Sequence, residues 1–286
     1  MMGCAAPEMP MPTTLVRRLR HDEIGGTPMK TRSQRPQSCG ACRASAPLGF
    51  DFTMAFQPIV NADDGSIFAH EALVRGPNNE PAASVFASVN DTNRYRFDQL
   101  CRVRAVQLAA ALGIDSMVSV NFMPNTVRDP ERCIQSTLQA AEDHGFPVRR
   151  IIFEIVEHER VADIRQLRNV AEHYRHIGFT VAIDDFGVGA SGLQLLAEIP
   201  ADLLKLDRLL IRDVHKDRTR RCIIRGLLQT AGDLSMRVVA EGVERYEEFA
   251  TLRTMGIGLF QGFLFARPAF RRLTEVPASA FQPPGD

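Results

Sequence analysis

The chain has 286 residues, 45% hydrophobic and 24% charged, with 34 basic residues balanced by 34 acidic ones. A net charge of zero argues against gripping a nucleic-acid polymer through its phosphates. Apolar runs stop well short of the ~20 residues that cross a bilayer, and the opening MMGCAAPEMPMPTTLVRRLR lacks the apolar core of a secretory signal. A cytoplasmic protein with no membrane contact is expected.

Residues 1–48 are rich in Pro, Arg, Ser and Thr and poor in large apolar side chains. Such a composition cannot offset chain entropy by burial, so a disordered tail is expected there. Its Cys39-x-x-Cys42 has no second pair to complete a tetrahedral metal set and reads as two free thiols. From Phe50 the pattern changes. FTMAFQPIV reads as a strand, NADDGS as a turn and IFAHEALVRG as a second strand, joined too closely for a helical crossover and therefore antiparallel. A helix over 96–113 follows, ending at a glycine stop.

Strand and helix then alternate: strand 116–122, helix 129–145, strand 150–157, helix 161–178, strand 180–186, a glycine-rich loop and helix 191–198. Strand 203–207, helix 216–235, strand 237–242, helix 244–255 and strand 259–265 complete the set. The charged stretch RDVHKDRTRR at 212–221 reads as a helix start. Eight strands in about 230 residues predict a modified (β/α)8 barrel with one antiparallel strand. It would span 49–273, with a short tail over 274–286.

Polar side chains recur at the ends of these strands: Glu71, Asn121, Glu154, Glu157, Asp184, Asp185, Lys205, Asp207, Glu241 and Gln261. Parallel barrel strands end on one face, and several carboxylates buried together there would be strongly unfavourable without a compensating cation. Hard oxygen donors suit a divalent ion. The doublet Asp184-Asp185 needs a bend before both acids can face one centre, since adjacent strand residues point to opposite sides; Gly187 and Gly189 are expected to allow it. With Glu241, the set is large enough for two metals of the kind that clamp attacking and leaving oxygens in phosphoryl transfer. Lys205, one strand on, would have its pKa lowered beside such ions and could position a water or accept its proton. The alternative for Lys205 is a salt bridge with Asp207, two residues on.

These residues stand in blocks that resemble the EAL-domain cyclic di-GMP phosphodiesterases. Glu71-Ala72-Leu73 followed by Arg75 looks like that family's signature. FQPIV at 56–60, VNF ending at 122, FEIVE at 153–157, IDDFG at 183–187, LKLD at 204–207, VAEGVE at 239–244 and QGFLFARP at 261–268 fall in the family's order. The resemblance covers about residues 50–270. It implies hydrolysis of one phosphodiester of cyclic di-GMP to linear pGpG, using two Mg²⁺ or Mn²⁺ ions. On the same resemblance, Glu71, Asn121, Glu154, Asp184, Asp185 and Glu241 would hold the metals, directly or through water. Lys205 and Glu241 would act at the reacting centre. Gln57, Leu73, Arg75, Asp207 and Gln261 would line the nucleotide site, Arg75 suiting phosphate through its planar fork. Glu157 would brace the loop after Asp185, which in the family links metal occupancy to contacts between the two copies of a homodimer.

The family's common loop reads DDFGTGYSS, whereas residues 184–192 read DDFGVGASG, so Val188 and Ala190 lack the hydroxyl and the aromatic ring. That departure supports a rival reading, an EAL module that binds the nucleotide or a protein partner without cleaving it. A barrel phosphodiesterase for another substrate, such as a glycerophosphodiester, is a third and more distant reading. His70 is expected to point away from the site and pack under a helix, and His158 lies at the barrel mouth. His173 and His176 read as solvated helix positions.

Overall fold

The first two strands form the predicted hairpin. A computed structural model of the chain describes residues 47–127, 129–156 and 163–284. In it β1 (Thr53–Asn61) and β2 (Ile67–Arg75) pair antiparallel, with Gln57 opposite Glu71. The turn between them closes through Asn61, whose carbonyl accepts from Gly65 N–H, and Gly65 takes the positive φ of 75° that glycine adopts without strain. The tail expected over 1–48, with Cys39 and Cys42, lies outside the described residues but for Pro47 and Leu48.

The remaining strands run parallel to β2 in chain order: β3 (Met117–Phe122), β4 (Ile151–Val156), β5 (Thr180–Phe186), β6 (Leu203–Leu206), β7 (Arg237–Ala240) and β8 (Leu259–Phe260). β1 pairs antiparallel with both β8 and β2 and so closes an eight-stranded barrel. A ninth strand, β9 (Ala269–Phe270), lies antiparallel against Ala55 and Phe56 of β1. The barrel with one reversed strand is therefore present. β9 was not expected.

Helices fill the connections: α1 (Ala82–Phe86), α2 (Arg94–Ala111), α3 (Pro130–Cys133), α4 (Gln135–Asp143), α5 (Ile164–Ile177), α6 (Gly192–Glu198), α7 (Arg208–Ile211), α8 (Arg218–Asp233) and α9 (Tyr246–Thr254). The helix expected over 129–145 is interrupted at Ile134. α5 starts where Asp163 accepts the amides of Arg165 and Gln166, and α8 where Asp217 accepts that of Arg220, as short acidic caps do. The last strand is much shorter than the expected 259–265. After Phe260 the chain turns beneath the loop that follows β7: Val243 N–H donates to Gln261 and Leu264 N–H donates to Val243. A Cβ on Gly262 would lie 2.0 Å from the Val243 carbonyl, so only glycine fits that crossing. Beyond Leu273, in the stretch read as a tail, Phe281 packs its ring against Phe249 and Phe265 at 6.0 and 5.4 Å.

The lumen is built in two tiers. The lower tier is an apolar cluster of Ile59, Ala69, Ile152, Ala182, Leu203, Val239 and Leu259, with the buried hydroxyl of Ser119 completing the ring on β3. Residues two apart on a strand share a face. Two positions toward the mouth from each lower-tier residue stand Gln57, Glu71, Asn121, Glu154, Asp184, Lys205, Glu241 and Gln261. The pleat alone therefore stacks a polar ring on an apolar plug. A larger apolar layer, including Phe97, Phe153, Tyr174 and Phe179, fills the space between strands and outer helices.

Candidate active site at the barrel mouth

Lys205 is the centre of the polar tier. Its Nζ lies 2.5 Å from Glu154 Oε1, 2.7 Å from Glu241 Oε1, 2.9 Å from Asp184 Oδ1 and 3.8 Å from Glu71 Oε2, with the side chain 1% exposed. Four strand-end acids surround one ammonium, so one positive charge faces up to four negative ones. The Glu71 carboxylate is held on both sides. Its Oε2 accepts from Gln261 Nε2 at 2.8 Å and its Oε1 from Asn121 Nδ2 at 3.4 Å.

The bend that aims both aspartates inward lies at Asp185 itself, not at the glycines after it. Asp185 has φ 54°, and its N–H donates to Asp184 Oδ1 at 2.9 Å. Pairing with β6 slips between Ile183 and Phe186, and Gly187 continues the turn at φ 106°. Aspartate is among the few residues besides glycine that enter this region readily. As a result Glu71, Glu154 and Asp184 form one group of oxygens within 4.8 Å of one another, and Asp184, Asp185 and Glu241 form a second. Asp184 belongs to both.

Burial pushes the Glu154 carboxyl up to about 8; the Lys205 ammonium opposes this, while the Asp184 and Glu71 charges reinforce it. Burial also holds Glu241 well above the carboxylate range, with Asp184 adding to the effect. Burial alone would lower the Lys205 pKa, but the four surrounding carboxylates hold it well above that of a free lysine. The fall expected for Lys205 refers to the site with ions bound; the carboxylates by themselves act in the opposite direction. Lys205 does not pair with Asp207 as the alternative reading had it; Asp207 caps α7 by accepting from Leu209 N–H at 2.7 Å.

The Glu154 carboxyl is fully buried; its Oε1 meets the Lys205 ammonium, while no hydrogen-bond partner for Oε2 stands among the described residues. Unsatisfied buried carboxylate oxygens facing further acids are donors awaiting a cation, so the residues present fit a divalent-ion site. A pH effect follows with a definite sign. Burial raises Glu154, so the stability tied to its protonated form is complete below about 4.5 and lost as pH rises through about 8, and Glu241, also raised, adds in the same direction. Without divalent ions the midpoint of thermal unfolding is expected to fall from pH 5 to pH 8. Millimolar Mn²⁺ should remove most of that fall, as scanning calorimetry across the range would show.

Two cavities meet at this cluster. One, about 500 Å³, is lined by Leu73, Phe86, Asn121 and Met123 among others; the second, about 310 Å³, by Gln57, Lys205, Asp207, Glu241, Gln261 and Phe263. Glu71, Asp184 and Asp185 line both. Of the expected nucleotide-site residues, Gln57, Leu73, Asp207 and Gln261 face these spaces. Arg75 donates instead to the Val74 carbonyl at 2.7 Å. Glu157 and His158 lie outside the described residues. His70 is buried and its Nδ1 meets Ser116 Oγ at 3.0 Å, away from the site as expected. Sequence reasoning missed the rim pair of Arg208 and Glu244, in which Nη1 and Nη2 donate to the two carboxylate oxygens. It also missed Phe263, 47% exposed with Arg267 over its ring at 4.1 Å. Both Glu244 and Phe263 stood inside quoted blocks, where an exposed aromatic beside Gln261 was the available signal.

An eight-stranded barrel whose mouth gathers acids and one lysine around paired oxygen clusters defines a class of metal-site barrel. Comparison with known proteins narrows it. The EAL domain family matches residues 45–268. The blue light- and temperature-regulated antirepressor BluF of Escherichia coli K12 is 31% identical over 242 residues, 84% of this chain and 59% of BluF. The cyclic di-GMP phosphodiesterase PdeR of the same organism is 33% identical over 180 residues, 63% of this chain and 26% of PdeR. A standalone EAL protein of Vibrio cholerae O395, solved with cyclic di-GMP bound, has a TM-score of 0.80 and 49% identity, covering 83% of this chain and all of that one. The chain belongs to the EAL domain family, and it spans less than two thirds of these two curated relatives. Among the described residues no helix is long and apolar enough to cross a membrane.

Proposed function

We propose that this protein hydrolyses one phosphodiester bond of cyclic di-GMP to give linear pGpG. The observation that carries the reading is the position of the acid cluster between two cavities: a dinucleotide can lay one half in each while its scissile phosphate sits over Asp184. PdeR, named a cyclic di-GMP phosphodiesterase, and the cyclic di-GMP-bound Vibrio structure support the same substrate.

Glu71, Asn121, Glu154, Asp184, Asp185 and Glu241 would hold two Mg²⁺ or Mn²⁺ ions, Asp184 belonging to both groups of oxygens. When bound, such ions acidify a coordinated water and neutralise charge on the phosphate. Lys205 orients the attacking water and holds or passes its proton at Nζ. Gln261 and Asn121 fix the Glu71 carboxylate, while Gln57, Leu73, Asp207 and Gln261 would line the nucleotide, joined by Arg75 once it leaves the Val74 carbonyl. Glu157 would brace the loop after Asp185. The water oxygen ends on phosphorus and its proton on the departing 3′ oxygen. Homodimerisation through that loop and the neighbouring helix belongs to this reading; Val188, Leu193 and Leu209 expose apolar side chains there, at 43, 71 and 59%. So does a cytoplasmic location.

Incubating the protein with cyclic di-GMP and Mg²⁺ or Mn²⁺, then separating pGpG from substrate, tests the proposal. Appearance of pGpG only with the metal supports it, and intact nucleotide after prolonged incubation counts against it. A non-cleaving module is the second reading, favoured by Val188 and Ala190 in the loop and by a relative named as an antirepressor. Tight nucleotide binding without product would establish it. In that case Val188→Thr combined with Ala190→Tyr tests whether the loop is responsible.

A further inference from the structure

Behind β3 and β4 two charged side chains are almost fully buried, one of them, Asp98, in the wall of the larger mouth cavity. Asp98 and Arg102 of α2 form an ion pair at 3.0 Å between Oδ2 and Nη2, each side chain 2% exposed. Arg102 Nη1 donates to the Tyr174 hydroxyl of α5 at 3.4 Å. The other Asp98 oxygen, Oδ1, accepts from Met123 N–H at 2.8 Å, the first backbone amide beyond β3. Met123 lies two residues after Asn121, and Asn121 donates to Glu71. The Tyr174 ring packs on Phe153 at 4.8 Å and on Phe122 at 6.0 Å. Phe153 immediately precedes Glu154, and Phe122 immediately follows Asn121.

As a stabiliser this arrangement is poor, since burying two charges costs about as much as their attraction returns and a well-packed apolar pair often does as well. As a fixed support it has a clear consequence. It fixes an acceptor at the β3 exit and an aromatic plate behind β4, the two strands that present Asn121 and Glu154. We propose that Asp98, with Arg102 and Tyr174, is a positioning residue for the metal site, setting the β3 exit so that Asn121 and Glu71 keep their relation. The inference rests on the metal-site part of the reading above, not on turnover.

The test is calorimetric titration of Mn²⁺ into the full chain, with unfolding midpoints measured alongside. Asp98→Ala removes the acceptor for Met123. Tyr174→Phe keeps the ring and drops the hydroxyl that holds Arg102, and covers the case in which Asp98→Ala does not fold. Phe179→Leu is the control: it thins the same aromatic layer, where Phe179 packs on Phe153 at 4.9 Å, without touching the Asp98–Met123 contact. Asp98→Ala is expected to weaken Mn²⁺ binding at least about tenfold, the usual effect of losing an outer support of a metal ligand. Tyr174→Phe should show a smaller loss, and the control less than about twofold despite a comparable fall in unfolding midpoint. Losses no larger than the control's overturn the inference. Wild-type protein that takes up no Mn²⁺ overturns both it and the metal-site reading. Wild-type uptake without cyclic di-GMP cleavage sinks the hydrolytic reading alone, and the variants still decide this one.

Discussion

Replacing Lys205 by alanine is expected to slow cyclic di-GMP hydrolysis by about 10²- to 10⁴-fold, the range for losing a positioned proton-transfer group, with nucleotide binding far less affected. The geometry gives the reason. Nζ stands within 2.9 Å of Glu154, Asp184 and Glu241, at the centre of the acids; Lys205 lines the smaller cavity only, and the larger cavity's walls are built without it. Removing it deletes a charge from the reacting centre and leaves those walls intact. Single-turnover kinetics at saturating Mn²⁺, paired with equilibrium binding of the nucleotide, separate the two effects. A parallel collapse of binding would show that the lysine holds the pocket together and does no chemistry. Wild-type rates in the variant would remove it from the mechanism.

A comparably large effect is expected at Asp184. Because it belongs to both oxygen groups, Asp184→Ala should abolish uptake of both ions and reduce hydrolysis to background. Glu71→Ala should abolish hydrolysis too, but Glu71 belongs to one group only, so that variant should retain a single ion. Titration calorimetry would then give about two ions for the wild type, one for Glu71→Ala and none for Asp184→Ala. Equal stoichiometry in the two variants would refute the shared role. Asp184 also accepts the Asp185 amide at the left-handed bend, so its loss removes an acceptor at that bend as well.

Much of this site could be read from residue order alone, because strand periodicity does the sorting. Alternate residues of a barrel strand face the lumen, so Glu71, Glu154 and Lys205 were legible as lumen positions once their strands were placed. Elements set by contacts distant in sequence were not legible. The early end of β8 depends on Val243 crossing over Gly262, a steric fact between loops. The inward turn of Asp185 is a backbone conformation that two following glycines disguised. Asp98 and Arg102, spaced four apart on a helix, look like an ordinary surface pair; in the fold they are buried, and Arg102 meets Tyr174, 72 residues away. Lys205 pairing with three acids at once, in place of Asp207, likewise required the closed ring.

The two-storey lumen has a consequence for how such proteins diverge. The hydrophobic storey, with the shell outside it, carries the burial that drives folding, while the charged storey above adds little to it and is electrostatically uncomfortable when empty. Mutations there can extinguish chemistry while leaving a sound scaffold with two ready hollows. A lineage could thus pass from cutting a messenger to merely sensing it without ever crossing an unfolded ancestor.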